Sequence, residues 1–226
     1  MTLVLFDVDG TLFLTPDRVY LDALVESVRD VWGHELTDES FARAEHRPGE
    51  TAMQGLRHLL LGEGLEREAI DAELRRWCGL FGERYVALLA RTHTPHWQLG
   101  PGAVETLDAI GEHTLALLTG NPEPVARARL ERLGLDRFFA PGGGAFGCEA
   151  EERAELIELA RARMDASAAE TVLVGDTPLD IAGAHEAGIR AVAVTTGEYG
   201  AAALAAADAV VEGLRDLPGA LSALGG

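Results

Sequence analysis

Short, uninterrupted apolar runs recur along the chain, and each is followed by polar or turn-forming residues. Runs of about four residues without alternation are typical of strands that are buried on both faces of a parallel sheet. Helical patterns lie between several of them, at 123–133, 151–164 and 179–187. This alternation predicts an α/β fold, a doubly wound parallel sheet with helices on both faces. The predicted strands are 3–6, 115–118, 172–174, 191–194 and 209–211.

The stretch from residue 15 to residue 97 has a different pattern. It contains no convincing strand and shows helical periodicity at 19–31, 52–61 and 69–90. It ends before the turn-rich sequence Leu-Gly-Pro-Gly at 99–102, where a chain reversal is expected. We therefore predict a helical insertion at 15–97, placed after the first strand of a core formed by 1–14 and 98–226.

The composition narrows the possible partners. The chain has 226 residues, of which 47% are hydrophobic and 25% charged, as in soluble globular proteins. Its formal charge is −18, which argues against binding to nucleic acids or anionic membranes because both require a basic surface. The sequence shows neither an 18-residue apolar stretch nor a signal-peptide pattern. We expect a cytoplasmic protein, a monomer or weak dimer, with a small molecule as its partner.

Two residue types carry further information. All 19 basic residues are arginine, so mechanisms built on a lysine amine, such as a Schiff base or a P-loop, are excluded. The two cysteines, Cys78 and Cys148, are far apart and form no CxxC pair. We expect unpaired thiols, a reducing compartment and no structural zinc site.

Polar residues follow three of the predicted strands. In an open parallel sheet, ligands bind beyond the carboxyl ends of the strands, so Asp7, Thr119 and Asp176 should lie near one site. The first strand continues as Asp7-Val-Asp9-Gly-Thr, with two carboxylates on one side of an extended chain. Such a pair favours a divalent cation, and an all-oxygen site suits Mg²⁺. The alternative is an ordinary acidic turn.

The end of the third predicted strand combines a metal-ligand candidate with a helix start. Thr177 and Asp180 have the spacing of a capping box, with Pro178 at the first helical position. Asp176 precedes this cap and is the better candidate for a metal ligand. Asp180 either orients a metal-bound water or only caps the helix, and the sequence leaves both open.

The remaining candidates would bind the ligand. Thr119, Gly120 and Asn121 precede a predicted helix, where a hydroxyl and free N–H groups can form an anion site; a capped helix without ligand is the alternative. Arg153 lies in the first turn of a helix, where the dipole disfavours a cation. It either serves the site or forms a surface ion pair with Glu149 or Glu152. Arg47, in the polar loop at 46–50 of the insertion, either reaches the leaving group of a substrate or belongs to a plain turn.

Together these motifs resemble the haloacid dehalogenase-like hydrolase superfamily. The matching sequences are DVDGT at 7–11, LLTGN at 117–121 and VGDTPLD at 174–180, in the order that the family has them. The resemblance covers the whole chain and implies a Rossmann-like core with a helical cap. It also implies a phosphatase, similar to phosphoglycolate phosphatases, that hydrolyses a small phosphorylated metabolite with Mg²⁺.

The resemblance also implies roles for individual residues. Asp7 would be the nucleophile that forms an aspartyl-phosphate, and Asp9 would protonate the leaving oxygen and later activate water. Mg²⁺ would be held by Asp7, the main-chain carbonyl of Asp9 and Asp176, with Asp180 nearby. Thr119 and Gly120 would bind the phosphoryl oxygens.

One departure from the family pattern concerns the third motif, which usually supplies a lysine to the phosphoryl group. Arg153 lies in the matching segment, and a guanidinium is a chemically suitable replacement. Two alternatives to a phosphatase stay open: a phosphosugar mutase similar to β-phosphoglucomutase, and a silent module that binds a phosphorylated ligand without turnover.

Overall fold

The core is a six-stranded, wholly parallel sheet. A computed structural model of the chain describes residues 1–44 and 47–225. The strand order is β3-β2-β1-β4-β5-β6, and every neighbouring pair runs parallel. The α/β fold predicted from the sequence is confirmed. The strands are β1 Leu3–Phe6, β2 Thr114–Thr119, β3 Ala145–Phe146, β4 Thr171–Gly175, β5 Arg190–Val194 and β6 Ala209–Val211.

The register of the central strands decides where the site lies. Phe6, the last residue of β1, pairs with Leu117 of β2 and with Val174 of β4. The three strands therefore end side by side at one edge of the sheet. Asp7, Thr119 and Asp176 come at or just after these ends, as the sequence predicts.

Helices cover both faces of the sheet because successive side chains of a strand point to opposite sides. Val4 and Phe6 belong to the apolar cluster of one face, and Leu3 and Leu5 to the cluster of the other. The first face packs against α6, α7 and α10, and the second against α8 and α9. The core helices are α6 Ala103–Ala109, α7 Glu123–Leu133, α8 Arg153–Met164, α9 Pro178–Glu186 and α10 Leu217–Ala223.

The cap is helical, and its side chains form an apolar cluster that Val125 of the core helix α7 also joins. Its largest buried side chains include Trp77, which stacks on Phe81, and Tyr85. A separate cluster of this size is what allows an insertion to pack as a unit. The cap helices are α1 Arg18–Trp32, α2 Asp38–Arg43, α3 Ala52–Gly62, α4 Arg67–Asp71 and α5 Leu74–Ala90.

Two linkers join the cap to the core, and they run beside each other. Leu14 N–H donates to the carbonyl of Gln98, and Gly100 N–H donates to the carbonyl of Leu12. The ring of Trp97 contacts Phe13 edge to face. This pairing supports our proposal that the cap spans residues 15–97.

Several elements are absent from the sequence prediction. The two-residue strand β3 and the short helices α2, α6 and α10 are too short to give a periodic signal. The single helical pattern at 69–90 is two helices, α4 and α5. Among the described residues, no helix is long and apolar enough to cross a membrane.

The expectation of unpaired thiols is wrong. Cys78 of α5 and Cys148 of the core form a disulfide across a sequence separation of 70 residues. The pair joins the cap to the loop that follows β3. Sequence spacing hid this pair because the two elements meet only after the cap folds back onto the core. The inference of a reducing compartment therefore loses its support.

Candidate active site

Three carboxylates meet at the carboxyl edge of the sheet. Asp7, Asp176 and Asp180 each offer one oxygen, and these oxygens lie within 4.8 Å of one another. All three residues are buried. Gly10 makes this packing possible, because its φ of 76° is left-handed and a methyl group there would overlap the Asp176 carboxylate.

The carboxylates perturb one another. Burial raises the pKa of Asp7 well above its usual range; the Asp180 carboxylate adds to the rise and Arg153 opposes it. Burial also raises the pKa of Asp176 to about 7, with a further contribution from Asp180. Buried carboxylates this close disfavour one another's charged form unless a cation lies between them. With all three carboxylates ionised, the cluster would carry more negative charge than one guanidinium can balance.

Arg153 is the guanidinium that faces this cluster. It is buried at the start of α8, with Nη1 at 2.6 Å from Asp180 Oδ1 and 3.8 Å from Asp7 Oδ1. Its Nη2 donates to the carbonyl of Gly49 in the cap, whereas Nε and Nη1 are buried without an aligned hydrogen bond. The alternative of a surface ion pair with Glu149 or Glu152 is wrong.

Asp180 takes part in two arrangements at once. Its Oδ2 accepts hydrogen bonds from the N–H and the hydroxyl of Thr177, which completes the predicted capping box of α9. Its Oδ1 points to Arg153 and belongs to the carboxylate cluster. The capping role that the sequence left open is therefore present, and the role of Asp180 toward a metal-bound water stays a prediction.

Asp9 lies in a different environment from Asp7, although only one residue separates them. Its side chain is 52% exposed on the cavity wall. Its carboxylate accepts hydrogen bonds from Arg129 Nη1 at 2.8 and 3.0 Å and from Asn121 Nδ2. The carboxylate of Asp9 is thus paired with an arginine of the core and does not join the cluster around Asp7.

The loop after β2 links these two environments. Thr119 Oγ1 accepts hydrogen bonds from the N–H and the side-chain amide of Asn121. Helix α7 starts without a side-chain cap, so Asn121 does not act as the helix cap that the sequence left as its alternative. A methyl group on Gly120 would strike the carbonyl of Glu50, because the cap rests directly on this turn.

The cap contacts the core beside the site in two places, at the turn after β2 and at the segment 148–153. Ala52 N–H donates to the carbonyl of Gly120 at 2.7 Å. The core segment 148–153 is held from the cap by three side-chain links besides the Arg153 contact. These are the disulfide between Cys78 and Cys148, the ion pair between Arg57 and Glu151, and the hydrogen bond from Gln54 to Glu152.

A cavity of about 1310 Å³ lies between cap and core. Its core side includes Asp7, Asp9 and Arg153, and its cap side includes Arg47. The side chain of Arg47 is 50% exposed and lies 3.8 Å from Glu50. The loop proposed to reach over the site therefore faces the cavity, although His46 lies outside the described residues.

The carboxylate cluster fits a divalent cation. Its donors are all oxygen, which suits Mg²⁺, and the buried Asp180 Oδ1 has no aligned hydrogen bond. A cation among these oxygens would favour the charged carboxylates and so oppose the rise in the pKa values of Asp7 and Asp176.

The comparison with known families gives one match that covers most of the chain. The model described as haloacid dehalogenase-like hydrolase matches residues 1–188. The chain belongs to this family. It is therefore a hydrolase whose parallel, Rossmann-like sheet is the fold of that family.

Curated relatives of this hydrolase carry phosphatase names. "Probable phosphatase IndB" from Dickeya dadantii is 32% identical to it over 98% of this chain and 94% of its own length. "Phosphoglycolate phosphatase 1" from Pseudomonas aeruginosa is 29% identical over 95% and 78%. "Ribulose-1,5-bisphosphate 5-phosphatase" from Halopiger xanaduensis is 30% identical over 84% and 83%.

Solved structures agree on the fold. CbbY from Rhodobacter sphaeroides superposes with a TM-score of 0.68 at 20% identity, over 96% of each chain. A predicted phosphoglycolate phosphatase from Haemophilus somnus gives 0.66 at 22% identity, over 97% of each chain. The Rossmann-like core with a cap is therefore the fold that the family shares.

One functional candidate escaped the sequence analysis. Arg129 is 2% exposed and pairs with Asp9, but it lies in α7, outside the three motifs at 7–11, 117–121 and 174–180. The signal for it was present: Val125, Ala126 and Leu130 form the buried face of α7, and Arg129 occupies a position on that same face. A charged residue on an apolar stripe needs a buried partner.

Proposed function

We propose that this hydrolase is a Mg²⁺-dependent phosphomonoesterase that acts on a small phosphorylated metabolite through an aspartyl-phosphate on Asp7. The observation that carries the proposal is the convergence of Asp7, Asp176 and Asp180 with Arg153 at the edge of the sheet. Buried carboxylates with one arginine suit a cation and a phosphoryl group together. The phosphatase names of the relatives point the same way.

In the first step, a carboxylate oxygen of Asp7 attacks phosphorus in line with the leaving oxygen. The bond between phosphorus and Asp7 forms, the bond to the substrate oxygen breaks, and Asp9 gives that oxygen a proton. In the second step, water attacks phosphorus, Asp9 accepts its proton, and inorganic phosphate leaves Asp7. A covalent intermediate divides one difficult hydrolysis into two easier displacements.

The other residues hold the phosphoryl group. Thr119, the N–H of Gly120, Asn121 and Arg153 would bind its oxygens. The Nε of Arg153 is a buried donor without a hydrogen-bond partner among the described residues. Asp7, Asp176 and the carbonyl of Asp9 would hold Mg²⁺, with Asp180 beside it. When bound, Mg²⁺ would neutralise charge on the transferring phosphoryl group.

The cap would set the specificity. Arg47 is proposed to contact the part of the substrate beyond the phosphate, because it lies on the cap side of the cavity. The relatives are named for different substrates, phosphoglycolate and ribulose 1,5-bisphosphate. A panel of small phosphorylated acids and sugars is therefore the appropriate screen.

Hydrolysis of p-nitrophenyl phosphate tests the proposal directly. We expect turnover with Mg²⁺, its loss with a chelator, and its return when Mg²⁺ is added in excess. Asp7→Asn should lower kcat on the order of 10⁴-fold or more, because it removes the nucleophile. Asp136→Asn, an exposed acid of the core, serves as the matched control and should leave kcat unchanged.

The same screen separates the alternatives. No turnover of any phosphoester by the folded, Mg²⁺-loaded protein would refute the phosphatase and favour a silent binding module. Conversion of glucose 1-phosphate to glucose 6-phosphate would favour the mutase.

A further inference from the structure

A buried arginine joins the Asp9 carboxylate to the cap. Arg129 projects from α7 of the core and is only 2% exposed. One end of its guanidinium, Nη1, donates to both oxygens of Asp9 at 2.8 and 3.0 Å. The other end, Nε, donates to Asp17 Oδ2 at 2.9 Å and to the Tyr85 hydroxyl at 3.2 Å. Both of these partners belong to the cap.

The cap side of this link has little freedom. Asp17 is the N-cap of α1, and its Oδ1 accepts a hydrogen bond from Val19 N–H at 2.9 Å. Its Oδ2 also accepts from the Tyr85 hydroxyl at 2.7 Å. Both oxygens of the Asp17 carboxylate thus accept hydrogen bonds. Because Asp17 follows the first linker, its position depends on how the cap sits on the core.

Aromatic rings fix the position of the guanidinium from the sides. Arg129 Cζ lies 5.1, 5.3 and 5.5 Å from the ring centroids of Phe13, Tyr20 and Tyr85. Rings at these distances attract a cation and restrict where its plane can lie. The guanidinium is therefore enclosed by these three rings, with its Nη1 end directed to Asp9.

The two carboxylates that pair with Arg129 differ in solvent exposure. An ion pair that only stabilised the fold would not require this difference. The side chain of Asp17 is 4% exposed, whereas that of Asp9 is 52% exposed to the cavity. Burial of Asp17 needs a compensating charge, and Arg129 Nε supplies it. The second contact directs the same cation to a group that a substrate can reach.

We propose that Arg129 is a positioning residue that holds the Asp9 carboxyl where the leaving oxygen arrives, and that Asp17 ties this placement to the closed cap. The inference rests on the proposed phosphatase function. Proton donation matters most for poor leaving groups, since a good one departs without it. Replacement of Arg129 should therefore lower kcat/KM mainly for alkyl phosphates.

The experiment compares kcat/KM for p-nitrophenyl phosphate and for the best alkyl phosphate found in the screen. This ratio reports the steps up to departure of the leaving group. We expect Arg129→Met to lose ~10- to 100-fold on the alkyl ester and less than ~3-fold on the aryl ester, within the range of general acid catalysis. Arg129→Lys should show the same selectivity. Its loss should be smaller than that of Arg129→Met because lysine keeps the positive charge, but some loss should remain because one amine replaces two donor ends.

Arg132→Met is the matched control. Arg132 lies one turn further along α7 and also holds the cap, through the carbonyls of Leu89 and Thr92, but has no contact with Asp9. Any loss in this variant should be equal for the two esters. Thermal unfolding verifies that each variant is folded.

The outcomes are distinct. Equal losses on both esters in a folded Arg129→Met variant, or no loss at all, would overturn the inference and leave the phosphatase proposal intact. If Arg129→Met does not fold, Arg129→Lys decides the question by the same comparison. A wild-type protein that hydrolyses neither ester would overturn the proposed function and this inference with it.

Discussion

The core and the cap supply the two sides of one cavity with side chains of very different burial. In the core, Asp7 and Asp176 are each 4% exposed and Arg153 is 7% exposed. In the cap, the side chain of Arg47 is 50% exposed. Strand register and burial fix the core groups before any ligand arrives, whereas the cap presents its arginine from a loop. On the proposed function, the core sets the chemistry and the cap sets the substrate.

Removing the covalent link between cap and core should have the largest effect on the free energy of unfolding. The Cys78–Cys148 disulfide closes a loop across 70 residues and joins α5 to the core. Loop closure of this size stabilises a folded chain by about 2–4 kcal/mol. We expect Cys78→Ser to lower the free energy of unfolding by that amount, measured by denaturant titration, and to increase hydrogen exchange in α5.

Reduction provides the control. Cys148→Ser and the double variant should match Cys78→Ser, because each removes the same bond. A reducing agent should destabilise the wild type and leave the serine variants unaffected. Two free thiols in the untreated native protein would contradict the disulfide, and the cap would then be held by non-covalent contacts alone.

Replacing one cap side chain tests whether the cap determines the substrate while the core determines the chemistry. Arg47→Ala should raise KM for the physiological substrate about 10-fold, the effect of losing one charged contact, and should leave kcat nearly unchanged. Arg76→Ala is the matched control, since this exposed cap arginine lies outside the cavity and pairs with Glu73. Unchanged kinetics in Arg47→Ala would remove this residue from substrate recognition.

The smallest effect concerns the cap's own electrostatics. Hydrogen bonds from Arg43 and then His34 lower the pKa of Glu63 from its ordinary 4.5 to about 2. Because the folded pKa lies below the unfolded one, this stabilisation is present above pH 4.5 and disappears as pH falls toward 2. Glu63→Gln should cost about 1 kcal/mol at pH 7, and the difference from wild type should shrink across that window.

Glu39→Gln is the control for this pH dependence. Glu39 lies 3.9 Å from the same Arg43, but its side chain is 88% exposed. We expect Glu39→Gln to cause no measurable change in the free energy of unfolding, at pH 7 or between pH 4.5 and pH 2. A Glu63 effect that does not depend on pH would show that the pair acts through packing and not through charge.

The strand ends were predictable, and the pairs between distant segments were not. Buried runs in a parallel sheet must end at a common edge, so Asp7, Thr119 and Asp176 could be brought together from the sequence. The capping box of Thr177 is local in the chain and was equally accessible. The disulfide partner of Cys78 and the carboxylate partners of Arg129 are separated from them by 70 or more residues.

By itself the sequence determined the α/β core, the helical insertion and the acids at the strand ends, because hydrophobic periodicity and strand order follow from short-range rules. Only the tertiary structure decided how the cap docks. It placed Asp7 among buried carboxylates and Asp9 against Arg129, although only one residue separates the two acids in the chain. The physical reason is that the partner of a buried charge is chosen by packing between elements, which no local pattern records.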